Sequence, residues 1–176
     1  MAFDTLVVNL FAGPGAGKST VAAMAFAELK EQSVDIELVT EFAKELAWEE
    51  HHGPLQCQPY VFGQQLWRIQ RLIGKVRVVI TDSPILLSAF YAPESSPRAF
   101  IEAVKSFHAE QHSLNVEVIR TKCYNPRGRF QTETEARAID LKMRNLIPMF
   151  DLQILGNKAG AGDLVRHVQT RLVSDR

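Results

Sequence analysis

Residues 10–20 read LFAGPGAGKST, a glycine-rich stretch with one lysine and two hydroxyl side chains. A phosphate-binding Walker A loop has the pattern G-x-x-x-x-G-K-[ST]. Here the frame runs from Ala12 to Ser19, and alanine replaces the first glycine, so this position must avoid positive φ. The loop predicts a nucleoside-triphosphate site, with these binding residues: Gly13, Pro14, Gly15, Ala16, Gly17, Lys18, Ser19 and Thr20.

Each residue type in this loop has a physical role. The glycines let backbone N–H groups converge on an anion. Lys18 is expected to reach the β- and γ-phosphates, and the Ser19 hydroxyl to bind Mg²⁺. The alternative is a glycine-rich turn with an incidental lysine. Because the loop follows an apolar run and opens a helical segment, the phosphate site is favoured, with ATP and Mg²⁺ as cofactors.

Two carboxylates follow predicted strands. Asp82 comes after VRVVIT and suits the Walker B role of binding Mg²⁺, although Asp82 or Ser83 would also suit a helix N-cap. Glu41 comes after IELVT and suits a general base that takes a proton from an acceptor hydroxyl. The alternative for Glu41 is an acid that complements a helix dipole, and Glu45 is the second choice as base.

The segment KCYNPRGRFQTETEA has no apolar period and is rich in basic residues. It predicts a lid at about 122–134, in which Arg127 and Arg129 neutralise charge on a transferred phosphoryl group and exclude water. A solvated basic loop is the alternative. Thr132 and Glu135 form a capping-box pattern, which predicts a helix start.

The segment QCQPYVFGQQLWRIQR predicts a helix with polar and aromatic residues on it. A glutamine amide pairs with a base edge through one donor and one acceptor. Gln64 and Gln65 are therefore candidate acceptor-binding residues, and Arg68 lies one turn after Gln64. The alternative is that the aromatic residues are core and the glutamines lie on a wet face.

The elements that would position these residues alternate between strand and helix. This alternation predicts a three-layer α/β fold with a parallel five-stranded sheet, whose strands end at one ligand-binding edge. Predicted strands are 5–11, 36–40, 76–81, 114–121 and 151–155; predicted helices are 18–32, 41–50, 58–73, one after Pro84, 97–112, 131–146 and 161–173.

The 176 residues predict a single domain spanning 1–176. The composition is 46% hydrophobic, no apolar run is long enough for a membrane span, and the N-terminus lacks a basic region typical of a signal peptide. Two cysteines without metal-ligand spacing favour a reduced, cytoplasmic protein without a zinc site. Formal net charge is zero, which weighs against a dedicated nucleic-acid binder.

The chain resembles small P-loop kinases, including ribosylnicotinamide kinase domains and, more closely, a group of bacteriophage kinases. The resemblance is carried by FAGPGAGKST, LVTEFAKELAWE, VFGQQ, VVITDSP and YNPRGRFQTETEARAID. It implies a P-loop kinase fold with a lid and, from the phage group, phosphorylation of 5-hydroxymethyluracil in DNA during base hypermodification. The layout is also similar to deoxynucleoside kinases, in which a carboxylate after the second strand is the base and a glutamine reads the pyrimidine; Glu41 and Gln64 or Gln65 match these places.

Three functions are therefore expected, in this order. The first is an ATP-dependent phosphotransferase with an alcohol acceptor, the 5-hydroxymethyl group of 5-hydroxymethyluracil in phage DNA, acting in the host cytoplasm. The second is a kinase of a free nucleoside, nucleotide or ribosylnicotinamide, against which TDSP argues because deoxynucleoside kinases carry an acid-arginine-serine motif there. The third is a nucleotide-hydrolysing switch or DNA-associated ATPase. The oligomeric state does not follow from the sequence.

Overall fold

The computed structural model describes residues 4–120, 123–125, 132–146, 154–157 and 160–174, with the backbone alone at 145–146 and 154–157. Strands alternate with helices in the order β1 (Leu6–Phe11), α1 (Lys18–Glu31), β2 (Ile36–Val39), α2 (Phe42–Trp48), α3 (His52–Gln56), α4 (Gln58–Gln70), β3 (Val78–Thr81), α5 (Leu87–Tyr91), α6 (Arg98–Ala109), β4 (Ser113–Val118), α7 (Glu133–Leu146), β5 (Ile154–Asn157) and α8 (Ala161–Ser174). Within these ranges, no helix has both the length and the apolar character needed to cross a membrane.

The strands form one parallel sheet in the order β2-β3-β1-β4-β5. In the centre, Val8 of β1 pairs with Ile80 of β3 and with Leu114 of β4. Asn9, which interrupts the apolar run of β1, lies opposite Asn115, and its Nδ2 donates to Asn115 Oδ1 at 3.1 Å. Because the strands are parallel, the segments that follow β1, β2, β3 and β4 meet at one edge of the sheet.

Helices cover both faces of the sheet and give three layers. On one face, Leu6, Val8 and Leu10 pack with α1 and α8. On the other face, Val7 and Phe11 pack with α4, α5, α6 and α7. This alternation along β1 follows the two-residue period of a strand, and burying each such side chain stabilises the fold by about 1.5–3 kcal/mol. The predicted α/β class and parallel sheet are confirmed.

Several strand boundaries differ from the prediction, among them the ends of β4 and β5. β4 ends at Val118 and not at residue 121, because the chain leaves the sheet before Arg120. β5 continues to Asn157, two residues beyond the predicted end. Gly156 pairs with Glu117 of β4, so backbone pairing here overrides the weak strand preference of glycine and asparagine.

The short helix α3 was not predicted, because its sequence HGPLQ combines glycine and proline, which are both unfavourable in helix interiors. Leu55 of α3 packs against a small cluster formed by Phe42 and Leu46 of α2 and Val61 of α4. Tertiary packing therefore stabilises a helix that the local sequence does not favour.

The predicted lid lies mostly outside the described residues, and Arg127 and Arg129 are among those excluded. The capping box after the lid is confirmed. Thr132 N donates to Glu135 Oε2 at 2.7 Å, and Glu135 N donates to Thr132 Oγ1 at 3.3 Å. The backbone N–H and the hydroxyl of Thr132 both donate to the Glu135 carboxylate and lower its pKa, and the reciprocal bonds fix the start of α7.

Candidate active site

The phosphate loop joins β1 to α1. Gly15 has a φ of 73° and Gly17 a φ of 111°, in the left-handed region that residues with a Cβ avoid. Gly17 is the N-cap of α1, so Lys18 begins the first helical turn. Ser33 and Glu50 are the described non-glycine residues with a positive φ. Ala12 therefore avoids positive φ, as predicted for a residue with a Cβ at this position.

Lys18 folds back over the loop. Its Nζ donates to Ala12 O at 2.7 Å and to Gly13 O at 3.3 Å. Burial lowers the pKa of Lys18, and three nearby carboxylates oppose that shift by electrostatic attraction: Glu41, Asp82 and Asp140. The loop lysine therefore lies where negative side chains from three different elements converge.

Asp82 follows β3, the strand next to β1. Its side chain is buried, and Oδ1 has no hydrogen-bond partner among the described residues. The N-cap of α5 is Leu86, and no side chain caps that helix, so the capping alternative for Asp82 and Ser83 is not realised at α5. A buried carboxylate oxygen without a partner is costly unless a cation or donor binds it.

The donor set fits Mg²⁺. Hard divalent cations prefer oxygen ligands, and the orphaned Oδ1 of Asp82 supplies one at the edge of the sheet. The hydroxyls of Ser19 and Thr20 lie in the first turn of α1, where they are exposed. Ser19 and Asp82 thus match in type and position the serine of a Walker A loop and the aspartate of a Walker B strand.

Glu41 is the N-cap of α2, directly after β2. Its side chain makes no capping hydrogen bond to the helix. It is half-buried and lies within electrostatic range of Lys18 and of Tyr91. The position therefore places a carboxylate beside the phosphate loop, as the general-base prediction requires, while its location at a helix start is equally compatible with the dipole alternative.

Gln64 and Gln65 occupy different environments. Gln65 is buried: its Oε1 accepts from Phe42 N at 3.0 Å, and its Nε2 donates to Thr81 Oγ1 at 3.2 Å and more weakly to Thr40 O at 3.4 Å. Both ends of the amide thus hold the start of α2 against the end of β3. Gln64 is half-exposed and is the glutamine available to an acceptor.

The described contacts of Arg68 are with α2 and not with the phosphate loop. Its guanidinium donates twice to Glu45, at 2.7 and 2.5 Å, and lies over the Phe42 ring at 4.9 Å. The bond from Arg68 lowers the pKa of Glu45. Glu45, the second choice as base, is therefore held as an ion-pair partner.

A second charged pair, Arg120 and Asp140, touches the loop and was not predicted. Asp140 of α7 accepts from Gly13 N at 2.7 Å through Oδ1 and from Arg120 Nε at 2.9 Å through Oδ2. Arg120 Nη2 also donates to Pro14 O at 2.8 Å. The predicted strand 114–121 included Arg120, so this residue was not considered for the site. Because β4 ends at Val118, Arg120 instead lies at the ligand-binding edge.

Tyr91, at the end of α5, is a further residue that the sequence did not single out. Its ring meets the Phe90 ring edge to face, with centroids 4.8 Å apart. Burial raises the pKa of Tyr91, and the negative charges of Glu41 and Asp140 raise it further. The phenol therefore remains protonated, within electrostatic range of both carboxylates.

The central strand, the left-handed glycines and the lysine of the loop define a P-loop α/β domain. A family model described as an AAA domain matches residues 7–157, and the chain therefore belongs to this family. No curated protein matches the chain significantly.

Two solved structures of deoxyadenosine kinase from M. mycoides share the fold. The one with bound dATP has 13% sequence identity and a TM-score of 0.62, covering 94% of this chain and 98% of that chain. The one with the products dCMP and a flexible dCDP has 13% identity and a TM-score of 0.54, covering 96% and 99%. The similarity extends over nearly the whole of both chains.

Proposed function

We propose that this protein is an ATP- and Mg²⁺-dependent kinase that transfers the γ-phosphate to a hydroxyl group of a nucleoside-type acceptor. The observation that carries the proposal is the convergence of Glu41 and Asp82 on Lys18 at a Walker A loop. The carboxylates follow two neighbouring strands, and buried Asp82 has an oxygen that no described residue contacts by a hydrogen bond. The fold shared with deoxyadenosine kinase supports this reading.

Each residue has a role in this proposal. Lys18 and the backbone N–H groups of residues 15–20 bind the phosphates, and Ser19 and Asp82 hold Mg²⁺, which when bound neutralises phosphate charge. Glu41 accepts the proton of the acceptor hydroxyl. Arg127 and Arg129 of the lid stabilise the transferred group and exclude water.

The acceptor side is formed by α2 and α4. Gln64 is proposed to pair with the base edge, since the Gln65 amide is occupied by Phe42, Thr40 and Thr81. Gln65 then acts indirectly, because it fixes Glu41 beside the end of β3. Arg68 borders the acceptor through its pair with Glu45.

Within this class, the finer hypothesis is that the acceptor is 5-hydroxymethyluracil in DNA. The sequence run YNPRGRFQTETEARAID supports it, and a duplex base would have to be extruded to reach the cleft. A free nucleoside, nucleotide or ribosylnicotinamide is the alternative, and the shared fold with deoxyadenosine kinase favours a nucleoside or nucleotide. A hydrolysing switch is not favoured, because the two solved structures described above are both kinases.

One assay separates these acceptors. ATP labelled at the γ-phosphate is incubated with hydroxymethyluracil DNA, the free hydroxymethyl deoxynucleoside, its monophosphate, ordinary deoxynucleosides, ribosylnicotinamide, or no acceptor. Label in the DNA alone supports the base-modification hypothesis, and label in small molecules alone removes it. Hydrolysis at one constant rate in every reaction, without labelled acceptor, contradicts the kinase proposal. The Lys18→Ala variant gives the background.

A further inference from the structure

Arg120 is held in a fixed position beside the phosphate loop. Its side chain is 7% exposed. Asp140 accepts from Nε at 2.9 Å and Pro14 O accepts from Nη2 at 2.8 Å. The Tyr124 ring centroid lies 6.0 Å from the guanidinium carbon. Two of the three guanidinium nitrogens are therefore committed to the loop and to α7.

The third nitrogen, Nη1, is buried and has no hydrogen-bond partner in the described part of the chain. A Cβ built on Gly15 would lie 3.4 Å from Nη1, so this nitrogen is next to the centre of the loop. A buried charged donor without a partner is unfavourable, because its lost hydration is not replaced. The arrangement thus leaves a cationic donor unsatisfied where the loop amides converge.

The site also holds two cations near each other. Arg120 lies close enough to Lys18 to lower the pKa of that lysine by repulsion. Of the three carboxylates near Lys18, only Asp140 forms an ion pair with Arg120 among the described residues. A phosphate group between them would relieve the repulsion.

We propose that Arg120 is a phosphate-binding residue whose Nη1 donates to the phosphate tail of the nucleotide on the loop, and that Asp140 is its positioning residue. The inference rests on the proposed function, since it requires a nucleotide on that loop. It adds an arginine from the end of β4 to the predicted lysine and lid arginines. Asp140 also joins α7 to the loop through Gly13 N.

The test is nucleotide affinity, measured by calorimetry with Mg²⁺ and ATP, ADP or AMP. Loss of one charge-assisted hydrogen bond in Arg120→Met is expected to weaken ATP and ADP binding about 10- to 100-fold. AMP binding should change less, because it lacks the phosphates that the loop holds. Arg120→Lys, which keeps the charge, should recover part of the affinity. Arg144→Met on α7 is the matched control, because the half-exposed Arg144 pairs with partly buried Glu117 and should leave affinity unchanged.

A double-mutant cycle tests the positioning role. Asp140→Asn should weaken ATP binding in the presence of Arg120 but have little further effect in Arg120→Met, because it acts through that arginine. A merely structural role for Asp140 would weaken binding equally in both backgrounds. The double variant also removes the buried charge pair while keeping an amide oxygen for Gly13 N, so a folded protein is available if Arg120→Met unfolds.

Unchanged ATP affinity in folded Arg120→Met, or in the double variant, would overturn the inference. Failure of the wild-type protein to bind Mg²⁺ and ATP would instead overturn the proposed function itself. The Arg120 variants therefore test the inference, and the wild-type protein tests the proposed function.

Discussion

The carboxylates of the site differ in their surroundings, and the roles proposed for them are based on this difference. Asp82 is buried, its Oδ1 has no hydrogen-bond partner within the described ranges, and it therefore suits a cation. Glu41 is only half-buried, at the N-cap of α2. A general base must reach the proton that it removes, so accessibility favours Glu41.

Glu41→Gln should retain ATP binding and lose phosphate transfer by about a hundredfold or more, because the amide cannot accept the proton. The measurement is the rate of labelled phosphate transfer beside the ATP dissociation constant. Glu49→Gln, at the C-cap of α2, is the matched control and should transfer normally. Near-normal turnover in Glu41→Gln would remove this residue from the mechanism.

Gln65→Ala should lower the free energy of unfolding by about 1–3 kcal/mol, because it leaves the buried Phe42 N and Thr81 hydroxyl without their amide partner. Gln64→Ala should change stability by less than about 0.5 kcal/mol and raise KM for the acceptor. Denaturant unfolding and acceptor kinetics check both variants. Equal loss of stability in the two would contradict the distinct roles assigned to them.

At the scale of elements, the loop and α7 are in direct contact. A Cβ on Gly13 would lie 2.4 Å from Asp140 Oδ1 and 2.9 Å from Ala136 O. Such distances are shorter than real contacts allow, so only glycine lets α7 approach the loop this closely. This glycine therefore has a packing role in addition to its predicted role in phosphate binding.

Gly13→Ala should destabilise the protein by about 1–3 kcal/mol, because the added methyl forces α7 away from the loop. Gly63→Ala is the opposite control: no atom lies within 4 Å of its Cβ, and alanine in α4 should stabilise by up to about 1 kcal/mol. Thermal unfolding of the two variants gives the comparison. A neutral Gly13→Ala would show that α7 does not rest on the loop.

Local sequence patterns predicted the phosphate loop and the order of strands and helices. An apolar strand followed by a glycine loop or an acid can be recognised from residues that are close in sequence. The same is true of the capping pair Thr132 and Glu135. The partners of Gln65 and Arg120 were not predictable, because they lie on other elements. Their contacts depend on how α4 meets β3 and where β4 ends, which no local pattern records.

At the scale of the whole molecule, the sheet places residues that are distant in sequence at one edge. Lys18, Glu41, Asp82 and Asp140 are brought together by four different elements. Helix α6 packs against the end of β1 at this edge. Its buried His108 contacts Phe11, the last residue of β1, with ring centroids 6.3 Å apart.

Burial lowers the pKa of His108 to about 4, below the ordinary value near 6.5. The unfolded chain therefore takes up a proton on this residue between pH 6.5 and 4 while the folded chain does not. Stability from the neutral histidine is complete above pH 6.5 and falls by about 3 kcal/mol towards pH 4. In His108→Leu this part of the acid dependence should be absent. Parallel stability curves for the two proteins over this range would contradict the assignment.

The most direct test of the kinase account is the fate of the γ-phosphate in wild-type protein and Lys18→Ala. With Mg²⁺, labelled ATP and a hydroxyl acceptor from the panel above, the wild type should form about one phosphorylated acceptor for each ATP consumed, and Lys18→Ala almost none. Label released only as inorganic phosphate whatever acceptor is present, or equal transfer by Lys18→Ala, would contradict the account.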